Sequence, residues 1–400
     1  MQSAAQSQQA SPQISLQIKV EKKNMRRVIN WICLVALVGL TGCSWFKEPK
    51  NPPTALVDFK QTMSIKKVWS NSIGSAEGFT FTPVFVDDNV FTAASNGYIY
   101  RIDNATGREI WRIDADKILT AGVGADSSSL AVVADKGIVL LYGLDGKLKW
   151  QAQASSEILS APVIGDGVVV VRSIDNHIAA YDLSTGKRRW LIERTLPSLI
   201  LRSAVGMVIS DHTVYVGLPG GKLIAVGLAS GSVRWEASVG EPKGATELER
   251  VADVSGIPVV IGSDVCAAAF QGKVSCFDIK TGVMRWGKAL STNMGISADE
   301  RFVFAVDDKG TVNAFSRNAG LSEWKNDKLA YRKVSTPISF GQAVIVGDYQ
   351  GYIHFLSREE GSFLARMSTD GSPIITTPIL AGKNVVFQTS QGEIVALAID

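Results

Sequence analysis

The feature that most constrains the fold is a segment of about 40 residues that recurs eight times along the chain. In the first copy Gly97 opens a strand pattern, Gly107 follows ten residues later, and Trp111 follows four residues after that. The frame recurs at Gly137/Gly146/Trp150, Asn176/Gly186/Trp190, Gly221/Gly231/Trp235, Gly272/Gly282/Trp286 and Gly310/Gly320/Trp324. A seventh copy, Gly351/Gly361, has Ala365 where Trp stands elsewhere, and the eighth begins at Gly392 and stops at Asp400, before its last strand. A period of this length predicts a propeller or a solenoid.

Each copy is predicted to form four short strands. In the first, the run 89–94 meets a turn at Asn96-Gly97, where Gly tolerates a positive φ. The strand 98–103 then turns at Gly107 into the strand that carries Trp111. The first strand of a copy often begins with X-Pro, as at Thr82-Pro83, Ala161-Pro162, Ile257-Pro258, Thr336-Pro337 and Thr377-Pro378. Because proline lacks the N–H of a sheet ladder, it suits a strand start or an edge, such as the innermost strand of a blade.

We therefore predict an all-β protein, an eight-bladed β-propeller of four-stranded antiparallel blades over residues 63–400. The eighth blade needs a fourth strand, and the segment 65–69 supplies it with Trp69 in the expected frame. An N-terminal strand that joins the C-terminal blade removes the exposed edges of an open array. Seven blades remain the alternative if the Ala365 copy does not form a blade. The repeated Trp residues are expected to pack between blades, not to stack on a ligand.

The N-terminal region has the pattern of a targeting segment. Residues 1–24 are Gln- and Ser-rich and are expected to be disordered, or to lie upstream of the true start at Met25. Two arginines and a 13-residue apolar run in 25–42 predict a signal peptide, because the run is too short to span a membrane. It ends in Leu40-Thr41-Gly42-Cys43, which resembles the lipobox of bacterial lipoproteins and implies lipidation of Cys43. A buried core helix ending in Gly-Cys is the alternative.

The residues after Cys43 predict a lipid tether. Residues 43–62 include a Pro- and Lys-rich stretch, and Ser44 in place of Asp implies, by the same resemblance, the outer membrane. The protein is thus expected on the periplasmic face, held by lipid alone.

Charge argues against nucleic acid as a partner. The chain has 41 Lys and Arg and 38 Asp and Glu, but residues 1–42 hold five of the former and one of the latter. The mature part therefore has 36 basic and 37 acidic residues, a net charge of −1. A nucleic-acid footprint needs a basic surplus or patch.

Histidine and cysteine give no pattern of a metal or catalytic site. His177, His212 and His354 are the only histidines, and no pair has metal-ligand spacing. Cys266 and Cys276 lie on the two strands of one hairpin, in a compartment where disulfides persist. A two-residue turn would put their sulfurs on opposite faces, whereas a three-residue bulged turn would pair them. We expect no cofactor.

The spacing of the Trp residues points to two overlong loops. The intervals Trp190 to Trp235 and Trp235 to Trp286 carry about 5 and 11 extra residues, which fall in 193–202 and 241–255. Connections between successive four-stranded blades emerge on one face, so these loops lie side by side. Long loops on a rigid scaffold often carry binding function.

The composition of the two loops suits a protein partner. The first holds Leu199, Leu201 and Arg202, and the second holds Glu249, Arg250 and Asp253. An apolar patch with an Arg and a charged rim is typical of protein interfaces. The alternative is that Leu199 and Leu201 begin an inner strand and pack inward.

Together the lipobox, the repeats and the segments Leu199-x-Leu201-Arg202 and Glu249-Arg250-x-x-Asp253 resemble the BamB family, the propeller lipoproteins of the outer-membrane β-barrel assembly (BAM) machinery. The resemblance covers the chain from Met25 to Asp400. It implies a non-catalytic scaffold whose loops contact a POTRA domain of BamA. Such a scaffold assists the assembly and insertion of outer-membrane protein clients. It assigns partner contact to Leu199, Leu201, Arg202 and Asp253. Ser255 stands where the family often has a second Asp.

Two other functions remain open. The segment from Ala180 to Trp190 also resembles the repeats of pyrroloquinoline quinone (PQQ) dehydrogenases, which are eight-bladed too. Those enzymes use an adjacent Cys-Cys pair and carboxylate ligands around Ca²⁺, and no two Cys are adjacent here. The other alternative is a propeller lipoprotein with a different envelope partner.

Overall fold

The computed structural model of the protein describes residues 50–399. The predicted disordered start, the signal peptide and Cys43 lie outside the described residues. A compact unit begins at Pro53. Within the described residues, no helix is long and apolar enough to span a membrane.

The chain forms eight four-stranded antiparallel sheets, which we number as blades one to eight. The first four blades comprise β2 (Val84–Val86), β3 (Asn89–Ala93), β4 (Tyr98–Asp103), β5 (Glu109–Asp114); β6 (Gly124–Ala125), β7 (Ser129–Ala134), β8 (Ile138–Gly143), β9 (Leu148–Gln153); β10 (Val163–Gly165), β11 (Val168–Arg172), β12 (His177–Asp182), β13 (Arg188–Glu193); β14 (Met207–Ser210), β15 (Thr213–Leu218), β16 (Lys222–Gly227) and β17 (Val233–Ser238). Blades five to seven comprise β18 (Val254–Ile261), β19 (Asp264–Ala269), β20 (Lys273–Asp278), β21 (Met284–Ala289); β22 (Ile296–Ala298), β23 (Phe302–Val306), β24 (Val312–Ser316), β25 (Ser322–Asn326); β26 (Ile338–Phe340), β27 (Ala343–Gly347), β28 (Tyr352–Ser357) and β29 (Phe363–Ser368). The described residues also contain a 3-10 turn at Asp135–Gly137.

Blade eight closes the ring with strands from both ends of the chain. It contains β30 (Ile379–Ala381), β31 (Asn384–Gln388) and β32 (Glu393–Ile399), and β1 (Ile65–Ser72) pairs with β32 as its outermost strand. The predicted closure and the predicted count of eight blades are confirmed. The seven-bladed alternative is wrong, because the Ala365 copy forms the complete blade β26 to β29.

The prolines lie where a missing N–H does little harm. Four of the X-Pro pairs directly precede the innermost strands β2, β10, β26 and β30. Pro258 differs, because it lies inside β18 at a register shift between Ser255 and Val259. A bulge is the other place in a sheet that tolerates proline.

The repeated Trp residues join neighbouring blades, as predicted. Seven of them, from Trp69 to Trp324, each donate the indole N–H to a backbone carbonyl of the next blade at 2.5–3.0 Å. Six of these rings also cover the second Gly of the next repeat, where an added Cβ would lie less than 3.0 Å from the Trp side chain. The Gly and the Trp of the repeat are therefore two halves of one contact between blades.

Ala365 is explained by the way the ring closes. Blade eight receives its outer strand from the N-terminus, so no Thr-Gly turn links its third and fourth strands. A Trp at position 365 would have no glycine to cover. Ala365 is instead fully buried in a cluster with Met63, Ile65 and Ile399.

A pair of glycines separates the steric part of this contact from backbone strain. Gly320 has φ +64°, and an added Cβ would overlap the ring of Trp286. Gly341 has φ +59°, and nothing lies within 4 Å of an added Cβ. Gly341→Ala should therefore lower the free energy of unfolding by about 1 kcal/mol. Gly320→Ala should cost about 1–3 kcal/mol more, because it overpacks the contact. Urea denaturation measures both, and equal losses would contradict the steric argument.

The hairpin of Cys266 and Cys276 takes the second of its two possible registers. A three-residue turn separates β19 from β20, and the two cysteines lie directly opposite each other. They form a disulfide with a Cα–Cα distance of 4.0 Å. Both are fully buried.

The end of the predicted tether lies on the propeller. We call residues 54–62 the strap. Its backbone is hydrogen-bonded to the propeller at both ends. Thr54 N donates to Ala330 O at 3.0 Å, and Thr62 N donates to Leu364 O at 2.9 Å. Between them, Phe59 stacks on Phe363 with ring centroids 5.1 Å apart. These nine residues at the end of the predicted tether are bound to the propeller.

A buried ionic network holds the strap. Arg332 Nη1 donates to Thr54 O at 3.0 Å, and Arg332 Nε donates to Asp348 Oδ2 at 2.8 Å. Arg366 Nη2 donates to Val57 O at 3.2 Å, and Arg366 Nε donates to His354 Nδ1 at 3.2 Å. His354 Nε2 lies 3.0 Å from Asp348 Oδ2. Because the guanidinium can only donate, the proton of His354 must sit on Nε2, where it is given to Asp348.

The network sets the charge states of its members. Burial lowers the pKa of His354, and hydrogen bonding to Asp348 offsets only part of this effect. Burial alone would raise the pKa of Asp348, but the bonds from His354 and Arg332 bring it below its ordinary value. Asp348 is therefore ionised and His354 neutral at pH 7.

Candidate partner-binding face

Two long connections rise on the same face of the propeller. The first long loop (residues 194–206) joins β13 to β14, and the second long loop (residues 239–253) joins β17 to β18. Both loops lie on this face because each blade has four antiparallel strands. The last strand of every blade therefore ends on the side where the first strand of the next blade begins. The alternative that Leu199 and Leu201 start an inner strand is wrong, since β14 begins only at Met207.

Asp253 joins the two loops. Its Oδ2 accepts a hydrogen bond from the backbone N–H of Leu201 at 2.6 Å, across 52 residues of chain. Its Oδ1 accepts from the N–H of Gly220 at 2.9 Å, in the hairpin turn of blade four. Asp253 is only 3% exposed. Its carboxylate therefore sets the conformation of the face and is not itself presented to a partner.

The first long loop presents apolar and cationic side chains. Leu199 is 42% exposed, and Leu201 is half-buried beside Asp253. The exposed Arg202 pairs with Glu157 of the preceding blade at 2.5 Å. A partner that engages Arg202 must share or replace this ion pair.

The second long loop is stiffened by its own side chains. Glu249 Oε2 accepts hydrogen bonds from the N–H groups of Ala245 and Thr246 at 2.9 and 3.0 Å. These bonds lower the pKa of Glu249. Arg250 is exposed, and its backbone N–H bonds within the same loop. Leu248, which directly precedes Glu249, is 69% exposed.

The predicted residues thus divide into two groups. Leu199, Leu201 and Arg202 form one patch with Asp253 beneath it, whereas Glu249 and Arg250 bond within the second long loop. Ser255 is buried and donates its hydroxyl to Thr292 O at 2.7 Å. It serves the packing between blades five and six.

Sequence reasoning missed Arg172. This residue ends β11 below the first long loop, and its Nε atom is buried without a hydrogen-bond partner among residues 50–399. Burial lowers its pKa to about 10, and the charge of Asp253 offsets part of the effect. Aligning the repeats would have found it, because in the described blades no other second strand ends on a charged residue.

The histidines lie apart from one another, and each lies beside an aspartate. His177, His212 and His354 lie beside Asp175, Asp166 and Asp348, at 2.8, 2.6 and 3.0 Å. Asp166 raises the pKa of the exposed His212 through a hydrogen bond. In residues 50–399 no three His, Cys, Asp or Glu side chains are grouped so that they could hold a metal ion.

The fold and the face define the class of protein: a closed eight-bladed β-propeller of Gly–Trp repeats, with two joined loops raised on one face. The family described as "Outer membrane protein assembly factor BamB" matches residues 95–326. The protein of that name from Burkholderia pseudomallei (strain K96243) is 41% identical over 361 residues, which are 90% of this chain and 95% of the relative. The chain belongs to the BamB family.

Solved structures agree on the fold. The crystal structure of BamB from Moraxella catarrhalis matches with a TM-score of 0.78 and 23% identity, over 84% of this chain and 100% of that chain. A europium-containing methanol dehydrogenase matches with a TM-score of 0.68 and 12% identity, over 86% of this chain and 95% of that chain. At these identities the likeness shows the propeller alone.

Proposed function

We propose that this chain is a non-catalytic scaffold lipoprotein of the BAM complex. Its loop face binds a POTRA domain of BamA and so assists the assembly and insertion of outer-membrane proteins. Two relatives that are 41% and 40% identical to it over more than 360 residues are named as outer membrane protein assembly factors, which supports this function over a dehydrogenase. The dehydrogenase likeness stands at 12% identity.

The observation that carries the proposal is the joining of two loops by one buried carboxylate. Asp253 fixes the backbone of Leu201, so Leu199, Leu201 and Arg202 are presented on an ordered segment. A preorganised loop loses little conformational entropy when a partner binds. Arginine is among the residue types that dominate the affinity of protein interfaces, and the exposed Leu199 adds apolar surface near Arg202.

A lipid on Cys43 would hold this face near the membrane. The ten residues between Cys43 and Thr54 span at most about 35 Å. Thr54 bonds to Ala330, in the connection from blade six to blade seven. That connection emerges on the same face as the two long loops, so the tether leaves the propeller on the side that binds the partner. The lipid would therefore hold the partner-binding face toward the membrane, and Ser44 in place of Asp after Cys43 supports the periplasmic face of the outer membrane.

The proposed interface is tested by replacing an apolar and a positively charged side chain with negatively charged ones. Leu201→Asp and Arg202→Glu should each abolish co-purification of BamA from solubilised outer membranes, because they place negative charge in the proposed contact. Leu148→Asp and Arg188→Glu are the matched controls, since both side chains are exposed on the outermost strands of blades two and three, outside the two long loops. All four variants should stay folded, and only Leu201→Asp and Arg202→Glu should show a small fall in melting temperature, because Leu201 is half-buried and Arg202 loses its ion pair with Glu157. Undiminished pull-down by the Leu201→Asp/Arg202→Glu double variant would overturn the proposed interface.

A further inference from the structure

Below the first long loop lies a cavity of about 210 Å³, lined by a partly buried arginine whose Nε has no hydrogen-bond partner among the described residues. It is lined by Ser160, Arg172, Leu201, Arg202 and Ser203, among others. Arg202 is exposed and lines the same cavity, so the cavity reaches the surface of the loop face. At about 30 Å³ per water molecule, its volume has room for one side chain.

This arginine is Arg172. A buried polar atom is normally hydrogen-bonded, yet the Nε of Arg172 has no partner among the described residues. The neighbouring acidic groups are already engaged: Glu157 pairs with Arg202, Asp175 lies beside His177, and both oxygens of Asp253 accept backbone N–H groups. An arginine that is desolvated in this way lowers stability, unless a ligand completes it.

We infer that this cavity is a carboxylate site, which receives an Asp or Glu side chain of the partner protein. The guanidinium edge of Arg172 supplies a paired donor for a planar carboxylate. Ser160 and Ser203 line the cavity beside it and add hydroxyl groups. A single negative charge suits the site better than a phosphate, because Asp253 already places one negative charge near Arg172. The inference rests on the proposed partner-binding face and adds the chemistry of its central contact.

Arg172→Met tests the site, because methionine keeps much of the length but removes the charge. We expect the dissociation constant for the soluble POTRA region of BamA to rise about 30-fold or more. The melting temperature should stay unchanged or rise, since a partly buried cation that has no ion-pair partner among the described residues has been removed. An arginine with a merely structural role would instead lower it. Arg188→Met, an exposed arginine of the same blade, should change neither quantity.

Two further experiments identify the ligand of the cavity. Single Asp→Asn and Glu→Gln substitutions on the POTRA surface should include one whose loss of affinity is not additive with Arg172→Met. Acetate should compete weakly with the wild-type complex and not with the variant. Unchanged affinity of a folded Arg172→Met variant would overturn the site, as would phosphate binding that is tighter than acetate binding and independent of the partner. If Leu201→Asp abolishes binding and Arg172→Met does not, only the carboxylate site fails.

Discussion

Asp253→Ala should lower the free energy of unfolding by about 2–4 kcal/mol and remove most of the affinity for the partner. The substitution deprives two backbone N–H groups, of Leu201 and Gly220, of a charged acceptor. Hydrogen bonds to charged groups contribute about 1.5–3 kcal/mol each, and both donors lie in half-buried segments where water replaces the carboxylate only in part. The first long loop then has to be ordered during binding, which opposes association. Urea denaturation and titration with the POTRA region of BamA measure the two losses.

A control on another connection separates this effect from loss of charge. Asp327 is exposed in the connection between blades six and seven, where it pairs only with its neighbour Lys328. Asp327→Ala should change the free energy of unfolding by less than about 0.5 kcal/mol. Hydrogen exchange adds a local readout, because the amides of Leu201 and Gly220 should lose protection in Asp253→Ala. If both amides keep their protection, Asp253 does not join the loops in solution.

Asp348→Asn should cost about 3–5 kcal/mol of stability, the largest loss expected from a single substitution here. Asp348 and His354 are fully buried, and Arg332 is 3% exposed. An amide in place of the carboxylate leaves the Arg332 cation without a counter-ion in a site that excludes water. Because Arg332 also holds Thr54 O, the strap should detach with it. Urea denaturation measures the stability, and limited proteolysis within residues 54–62 measures detachment.

The repeat supplies the matched control for Asp348. Asp307 occupies the same position of blade six and makes the same turn, accepting N–H groups of Lys309 and Thr311 as Asp348 accepts those of Gln350 and Tyr352. It is not part of the buried Arg332 and His354 network. Asp307→Asn should therefore cost only about 1 kcal/mol, because an amide oxygen still accepts the turn bonds. Equal losses in the two variants would show that the turn, and not the ionic network, carries the effect.

Much of the fold could be predicted because its determinants are local and repeated. The Gly at each tight turn and the Trp four residues after the second Gly recur, so one copy predicts the others. The closure was also predictable, since a final copy without its last strand implied a strand from elsewhere. The absence of Trp at position 365 looked like degeneration of a blade. It is a consequence of closure, because the turn that a Trp would cover does not exist in blade eight.

The strap shows where composition misleads. Residues 43–62 include a Pro- and Lys-rich stretch, which is typical of a free tether, yet Phe59 and its neighbours pack on blade seven. The arginines that hold them, Arg332 and Arg366, lie about 300 residues away in sequence. The hairpin cysteines illustrate the opposite case, where the sequence left two registers open. The three-residue turn selects the register that pairs them.

The sequence by itself determined the repeat, the number of blades, the ring closure and the two overlong loops between blades three, four and five. These features depend on turn glycines, strand alternation and loop length, which are read within one copy or by comparing copies. Only the tertiary structure decided what each loop residue does. Asp253 is buried and accepts hydrogen bonds that join the two loops, Glu249 accepts hydrogen bonds within its own loop, and Arg172 lies beneath them without an ion-pair partner among the described residues. Burial and pairing arise between segments that are distant in the chain, and no local pattern records them.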